Sequence, residues 1–281
     1  MQTVEARQRA AVFRRLHTEA DALVLVNAWD AGSARVLEHA GARAIATTSA
    51  GMAWALGYPD GEQLPPSEFI SATARICRAV SVPVTADIER GFGGSTHDVV
   101  AFVQTLIALG VVGVNIEDGV LSDTLRLAAP EVLCERITAL REMAAQSKAS
   151  LFINARTDTY FVTNEDRVAR FDETVRRAQL YASAGADGIF VPGMEMEDVA
   201  PFASTVTLPL NVYAGVPGAP PVHVLRRAGA RRVSLGCGPL QSVFGSLRGI
   251  AHKAFVDGSF DDMDASIPSV SEVNELFALR S

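Results

Sequence analysis

The feature that most constrains this chain is an eightfold alternation of short apolar segments with helical patterns. The apolar segments are Leu23–Ala28, Arg43–Thr48, Val82–Glu89, Gly113–Asp118, Leu151–Arg156, Gly188–Pro192, Leu208–Tyr213 and Arg232–Gly236. Amphipathic stretches lie between them: Ala31–Ala40, Pro66–Ala79, His97–Leu109, Pro130–Gln146, Asn164–Ala184, Met196–Ser204 and Pro220–Ala228. Strands joined through helices run parallel, and buried parallel strands read as continuous apolar runs rather than alternating ones. Small turns at Gly41, Gly110, Gly185 and Gly229 sit where helices must stop before the next strand. Eight such units with no break in composition predict a single (β/α)8 barrel of the α/β class. A doubly wound open sheet is the second choice, and the lack of a GxGxxG turn argues against its dinucleotide-binding form.

The barrel is expected to occupy residues 1–256, opening with an amphipathic helix over 4–20 and closing with a helix over Leu240–Val256. Residues 257–281 read as an acidic linker and an apolar helix that starts near Pro268 and runs to the end. A loosely tethered apolar helix suits packing on a neighbouring subunit, so a homo-oligomer is expected.

Bulk properties exclude several classes. The net charge is −7 with no basic run, which argues against nucleic acid or an anionic membrane as partner. No stretch reaches the ~20 apolar residues that span a bilayer, and the first residues hold no apolar signal core, so a cytoplasmic protein is expected. The three cysteines, Cys77, Cys134 and Cys237, show no close pairing, as suits free thiols in a reducing compartment. Lys148 and Lys253 are the only lysines, and neither ends a predicted strand, which disfavours Schiff-base chemistry. The five histidines fall on helices or their starts, and no HxH, HExxH or CxxC spacing points to zinc.

In a barrel of this kind the functional groups sit where strands end and βα loops begin. Those positions hold Asn27, Trp29 and Asp30; Thr48 and Ser49; Asp87 and Glu89; Glu117 and Asp118; Asn154, Arg156 and Asp158; Asn211 and Tyr213. Asp87 and Glu89 are two residues apart, so an extended strand would aim both at one spot. Several carboxylates converging there repel one another unless a cation sits among them, and hard oxygen ligands suit Mg²⁺ or Mn²⁺. Arg156, ending an otherwise apolar strand, needs an anionic partner, and a substrate carboxylate is a natural one. Thr48 and Ser49 offer hydroxyls and backbone N–H groups for a second anionic group. Any one of these residues alone is more simply read as a helix cap or an ion-pair partner; the whole set on one face favours a site.

The segments Asn27-Ala-Trp-Asp-Ala-Gly-Ser-Ala34, Thr47-Thr-Ser-Ala-Gly51, Gly57-Tyr-Pro-Asp60, Ala86-Asp-Ile-Glu-Arg-Gly-Phe-Gly93, Val114-Asn-Ile-Glu-Asp118 and Asn154-Ala-Arg-Thr-Asp158 resemble, in order and spacing, the isocitrate lyase/phosphoenolpyruvate mutase superfamily. The resemblance covers roughly residues 10–250. It implies a barrel with a swapped terminal helix, assembly into dimers or tetramers, and a bound Mg²⁺. It also implies cleavage or formation of a C–C or C–P bond beside a pyruvate enolate in a small 2-oxo or 2-hydroxy acid. By the same resemblance Asp87 is the main metal ligand, with Glu89 and Glu117 holding the metal or its waters. Asp60, Glu117 and Arg156 take catalytic places, Arg156 gripping a substrate carboxylate. Trp29, Thr48, Ser49, Asp87, Asn154 and Asn211 complete the substrate-binding set.

The chain departs from the family pattern in three places. The Lys-Lys/Arg-Cys-Gly-His loop of the lyases is replaced by Gly119–Ala128, which holds no Cys, Lys or His. The lysine-bearing gating loop of the mutases is missing, and Gly193 stands where some lyases carry a glutamate. What remains is a metal–enolate core with an unassigned acid or base. A Mg²⁺-dependent C–C lyase of the oxaloacetate decarboxylase or acid-lyase type fits first, because departing CO₂ needs no dedicated acid. A C–P enzyme of the phosphonopyruvate hydrolase or mutase type comes second, and a non-catalytic keto-acid-binding protein third.

Overall fold

The computed structural model describes residues 2–121, 124–162, 166–261, 263 and 267–278. The main sheet has nine strands. In chain order they are β1 (Leu23–Leu25), β2 (Asn27–Ala28), β3 (Ile45–Thr47), β4 (Val84–Asp87), β5 (Val111–Glu117), β8 (Phe152–Arg156), β9 (Gly188–Phe190), β10 (Leu210–Tyr213) and β11 (Ala230–Ser234). A separate antiparallel hairpin, β6 (Gly119–Leu121) with β7 (Leu125–Leu127), lies in the loop after β5. The order in the main sheet is β1-β11-β10-β9-β8-β5-β4-β3-β2, and every pairing is parallel. Its two ends, β1 and β2, are consecutive stretches of one extended segment broken only at Val26. The sheet therefore closes on itself as the expected (β/α)8 barrel of eight staves.

The helices are α1 (Val4–Leu16), α2 (Ala31–His39), α3 (Ser49–Ala55), α4 (Pro66–Ala79), α5 (Thr96–Ala108), α6 (Pro130–Gln146), α7 (Thr159–Val162), α8 (Arg167–Ala184), α9 (Met196–Thr205), α10 (Val222–Arg227), α11 (Gly238–His252) and α12 (Val270–Phe277). Their limits follow from local chemistry. Asp30 and Ser33 form a capping box at the start of α2, and Ser95 and Asp98 do the same for α5. The four predicted turn glycines all adopt the left-handed conformation, φ between 98° and 109°. Helix α8 starts at Arg167 on the Asp166 cap; Asn164, the expected start, lies outside the described residues.

Two cores result. The larger fills the layer between strands and helices, where β5 is buried on both faces except at its last residue. The smaller plugs the end of the barrel from which the strands start: Phe13 and Leu16 of α1 pack with Leu23, Ala44, Val112 and Phe152. Phe13 meets Phe152 edge-on at 5.4 Å, and His17 stacks on the same ring at 4.1 Å. With that end filled by α1, the cavity on the barrel axis lies at the end where the strands finish.

Beyond the barrel, α11 begins two residues before the expected Leu240 and its last turn widens over Lys253–Asp257. Helix α12 starts at Val270 on a Ser269–Glu272 capping box rather than at Pro268, and residues 279–281 lie outside the described residues. Arg35 of α2 donates to the Leu276 carbonyl, Nε at 3.0 Å, and so ties α12 to the barrel wall.

Candidate active site

At the C-terminal ends of the strands lies a cavity of about 200 Å³, lined by Asn27, Thr48, Ser49, Ala50, Asp60, Asp87, Asn115, Arg156, Phe161, Phe190, Pro192, Tyr213, Ser234, Gly236 and Cys237. Its residues come from all eight staves and from two of the loops that follow them. A space of this size, smaller than the ~300–1,000 Å³ of drug-sized sites, suits a small acid.

Asp87, the last residue of β4, projects into this space. Its Oδ2 accepts from Ser49 N at 3.2 Å and Ser49 Oγ at 2.9 Å, while its own N–H donates to Thr47 Oγ1 at 2.9 Å. Its Oδ1 is buried and has no hydrogen-bond partner among the described residues. Asp60, on the loop before α4, holds its proton more tightly than a free aspartate: burial is the main cause, the Gly61 N–H offsets part of it, and the Asp87 charge adds to it.

Glu89 reaches the site by another route than strand alternation. The strand stops at Asp87, and Glu89 is left-handed at φ 49°, so Asp87 and Glu89 do not share a strand face. The chain turns here instead. Glu89 Oε2 accepts from Glu62 N at 2.7 Å, and Glu62 Oε1 accepts from Phe92 N at 2.7 Å. Glu62 and Phe92 are also left-handed, φ 57° and 54°. Three strained non-glycine residues thus lock two loops together beside the acids, a cost of order 1–3 kcal/mol each that persists only where the surroundings enforce it. Burial, reinforced by Asp60, Asp87 and Glu62, pushes the Glu89 carboxyl up to about 8.

On the other side of Asp87, Glu117 ends β5 and Arg156 ends β8, directly paired in register. Arg156 Nη1 lies 2.9 Å from Glu117 Oε2, an ion pair without hydrogen-bond alignment, and Arg156 Nε donates to Asp158 Oδ1 at 2.7 Å. Burial alone would lower the Arg156 pKa, but Glu117, Asp158 and Asp87 together outweigh it and raise it. Burial raises the Glu117 carboxyl well above its ordinary value despite Arg156, and it raises Asp158 too. The guanidinium lies 5.8 Å over the Phe190 ring, and among the described residues its Nη2 makes no hydrogen bond or ion pair, which leaves it open to a ligand.

The other predicted residues divide. Thr48 lines the cavity but its hydroxyl caps α3, accepting from Gly51 N at 3.4 Å, and the Ser49 hydroxyl is committed to Asp87; neither is a free anion-binding hydroxyl. Trp29 does not line the cavity. It lies in a neighbouring groove with Asp30, Glu68 and Arg75, because the capping box of α2 turns the chain outward there. Asn154 and Asn211 are buried in the barrel interior rather than on the cavity wall: Asn154 donates to Asn115 Oδ1 at 2.9 Å, and Asn211 has neither amide atom paired. Asn27 closes the barrel, donating to Thr47 O and accepting from Leu235 and Gly236 N. Asp118 points away into a buried node with Arg177, Tyr181 and the Asp158 N–H.

Sequence reasoning passed over Ser234, Gly236 and Cys237 at the end of β11, and Phe161, Phe190 and Pro192 opposite them. Their signal was position alone: each ends a stave or opens its loop. Gly193, with φ 77°, lies under the Phe161 ring, whose edge would meet a Cβ there at 2.8 Å, so a side chain at 193 would be strained in its backbone and would push this ring aside.

Among the described residues no three His, Cys, Asp or Glu side chains form a ready metal-ligand cluster. Mg²⁺ does not require one, since it keeps several waters and takes one or two carboxylates. The bare Asp87 Oδ1 and the raised Asp60, Glu89 and Glu117 carboxyls are what a site short of positive charge looks like, and they fit such an ion.

A parallel barrel closed at one end, with acids and an arginine around a small cavity at the other, defines a barrel enzyme acting on a small anion. The sequence profile described as Phosphoenolpyruvate phosphomutase matches residues 13–255, and the chain belongs to that family, within the isocitrate lyase/phosphoenolpyruvate mutase superfamily. It is 30% identical to the oxaloacetate decarboxylase of Bradyrhizobium sp. over 75% of this chain and 72% of that one. It is 27% identical to the 2-methylisocitrate lyase of Escherichia coli over 94% and 90%. A crystal structure from Burkholderia cenocepacia J2315, of a protein provisionally classed as a lyase/mutase, superposes with a TM-score of 0.90 at 32% identity, covering 99% of this chain and 98% of that one.

Proposed function

We propose that this protein is a Mg²⁺-dependent lyase that cleaves a C–C bond in a small 2-oxo or 2-hydroxy dicarboxylic acid, with oxaloacetate decarboxylation as its simplest form. The observation that carries this reading is the single small cavity where the half-partnered Asp87, the proton-holding Asp60 and the open edge of Arg156 meet. Asp87 would hold the ion directly, with Glu89 and Glu117 reaching it through water. When bound, Mg²⁺ supplies positive charge beside the 2-oxo oxygen, where the enolate's negative charge collects.

The chain's own residues do the rest. Arg156 offers Nη2 to a substrate carboxylate and is held in place by Glu117 and Asp158. Ser49 fixes the Asp87 carboxylate. The apolar wall of Phe161, Phe190 and Pro192 limits water around the developing carbanion. The loop cysteine of the lyases is absent, and Cys134 sits on α6 away from the cavity. Proton donors instead line the β10–β11 side: burial raises both the Tyr213 hydroxyl and the Cys237 thiol, so both carry their protons at neutral pH and could return one to the enolate carbon.

The 30% identical oxaloacetate decarboxylase supports the C–C reading. A second reading, C–P chemistry, draws support from the family profile and from a B. cenocepacia J2315 structure provisionally classed as a phosphonomutase, 38% identical over 87% of this chain with a TM-score of 0.83. The test is to incubate the protein and Mg²⁺ with 2-oxo, 2-hydroxy and phosphono acids while following pyruvate, CO₂ and phosphate. Keto-acid release lost in Asp87→Ala is the expected result. Phosphate release from phosphonopyruvate would replace it with the C–P reading, and no product alongside Mg²⁺-dependent oxalate binding would leave a binding protein.

The same reading extends to assembly. We propose a homo-oligomer, dimer or tetramer, in which the region after residue 256 packs on a neighbouring copy.

A further inference from the structure

We propose that Asn115 is a substrate-binding donor of this site, its amide N–H groups held toward the cavity by the buried Arg232. The inference rests on the reading of the cavity as a small-acid site.

Arg232 is fully buried in the barrel interior, yet among the described residues it forms no ion pair. Its Nη2 donates to Asn115 Oδ1 at 3.2 Å, its Nε donates to Ser234 Oγ at 3.3 Å, and Nη1 has no partner. A guanidinium has only donors, so the atom of Asn115 that faces it must be the oxygen. This removes the usual ambiguity between the two ends of an asparagine amide. Asn154 Nδ2 donates to the same oxygen at 2.9 Å, which fills its second lone pair.

The other end of the amide is then fixed as well. Asn115 Nδ2 donates to no described protein atom, yet it is not among the buried polar atoms left without a partner. Asn115 lines the cavity, and the cavity is where that nitrogen opens. An asparagine serving only the barrel would spend its donors on the protein, because unmet N–H groups are costly. Here two N–H donors are held, without freedom to flip, toward a space shared with Asp87. In register Asn115 stands directly opposite Asp87 on β4. An acid held at Asp87 and Arg156 would bring an anionic oxygen, carboxylate or enolate, within reach of that amide. Asn115 thus selects for an oxygen acceptor at this point of the ligand, and Arg232 acts on the ligand only by positioning Asn115.

The experiment is calorimetric titration of the Mg²⁺-loaded protein with oxalate, for the wild type, Asn115→Ala, Asn115→Asp, Arg232→Met and the Asn115→Ala/Arg232→Met pair. Loss of a hydrogen bond to a charged oxygen predicts oxalate binding weaker by roughly ten- to a hundredfold in Asn115→Ala. Asn115→Asp keeps the acceptor that Arg232 needs, so its fold is retained, and it should bind at least as poorly because it has no donor to offer. Arg232→Met should weaken oxalate binding in the wild-type background and do nothing further in Asn115→Ala; a merely structural arginine would give additive effects. Wild-type affinity in both Asn115 variants would overturn the inference while leaving the small-acid site intact. Additive effects of Arg232→Met would overturn its positioning role. Failure of the wild-type protein to bind oxalate or any 2-oxo acid would overturn the reading of the site and this inference with it.

Discussion

Asp87 is an asymmetric carboxylate: Oδ2 takes two hydrogen bonds from Ser49 and Oδ1 takes none. The arrangement orients one oxygen by protein and leaves the other open, so under the proposed reading Ser49 would support a metal ligand rather than bind an anion. Removing such outer support typically costs ten- to a hundredfold in metal affinity. Ser49→Ala retains the backbone N–H bond, so we expect Mg²⁺ affinity to fall by about tenfold, with oxalate affinity at saturating Mg²⁺ nearly unchanged. A titration of Mg²⁺ at fixed oxalate measures both, and a direct loss of oxalate binding at saturating metal would return Ser49 to an anion-binding role. Asp118 shows the opposite logic. It follows Glu117 in sequence but is held by Arg177 Nη1 at 3.0 Å, Tyr181 Oη at 2.6 Å and the Asp158 N–H at 3.0 Å, all inside the wall. Arg177 would keep Glu173 at 2.7 Å but lose its buried partner, so Asp118→Ala predicts a loss of about 1–3 kcal/mol of stability, read by urea unfolding, whereas Glu117→Ala should affect turnover more than stability.

At the scale of elements, α1 does more than precede the barrel. It inserts Phe13 and His17 into the closed end, and His17 Nδ1 bonds the Phe13 carbonyl at 2.8 Å while Nε2 has no partner among the described residues. Burial, with the Arg232 and Arg14 charges adding to it, lowers the His17 pKa to about 3. The folded protein therefore holds this imidazole neutral while the unfolded chain protonates it below about 6.5, so stability falls as pH drops from 6.5 toward 3. At pH 4.5 the shortfall is about 2–3 kcal/mol by linkage. His17→Leu should be less stable than wild type at pH 7 but should lose about that much less on going to pH 4.5, as urea unfolding at both values would show. An equal pH dependence in the two proteins would mean that His17 is not the titrating group. This is also where the sequence was least legible. The alternation of apolar runs and helices located all eight staves, since parallel strands buried on both faces leave an unmistakable apolar pattern. It also located Asp87, Arg156, Thr48 and Ser49 on one cavity, because strand ends are countable, whereas Asp60, on a loop, came only from the family resemblance. It misjudged Glu89, because extending the strand two residues past Asp87 assumed a regularity that three left-handed residues break. It misjudged Trp29, where the Asp30 cap turns the chain away, and it could not see the polar interior of Arg232, Asn115, Asn154 and Asn211, whose pairing depends on which strands become neighbours.

For the whole molecule, the last stave ends at Ser234, and the chain beyond it exposes more apolar surface than a barrel standing alone in water is expected to keep. Phe255 is 87% exposed, Val256 67%, Phe260 68%, Ile267 63% and Val270 79%, and Phe244 and Leu247 of α11 lie outward too. Burying a side chain of this size is worth about 1.5–3 kcal/mol, and exposed clusters rimmed by polar residues mark interaction surfaces. Under the proposed assembly the mainly exposed α12, tied to its own α2 through Arg35 and Leu276, would continue that surface onto a neighbour. Closed symmetric assembly would cover these groups on every copy at once. Sedimentation velocity on the intact chain should therefore give a dimer or tetramer. Phe255→Glu together with Phe260→Glu places two charges in the contact without touching the barrel or the cavity, so it should shift the protein to a smaller species while the barrel stays folded by circular dichroism. A monomeric intact chain would refute assembly through this region. An unshifted double variant would move the interface elsewhere, and the exposed face of α11 would then be the next surface to charge.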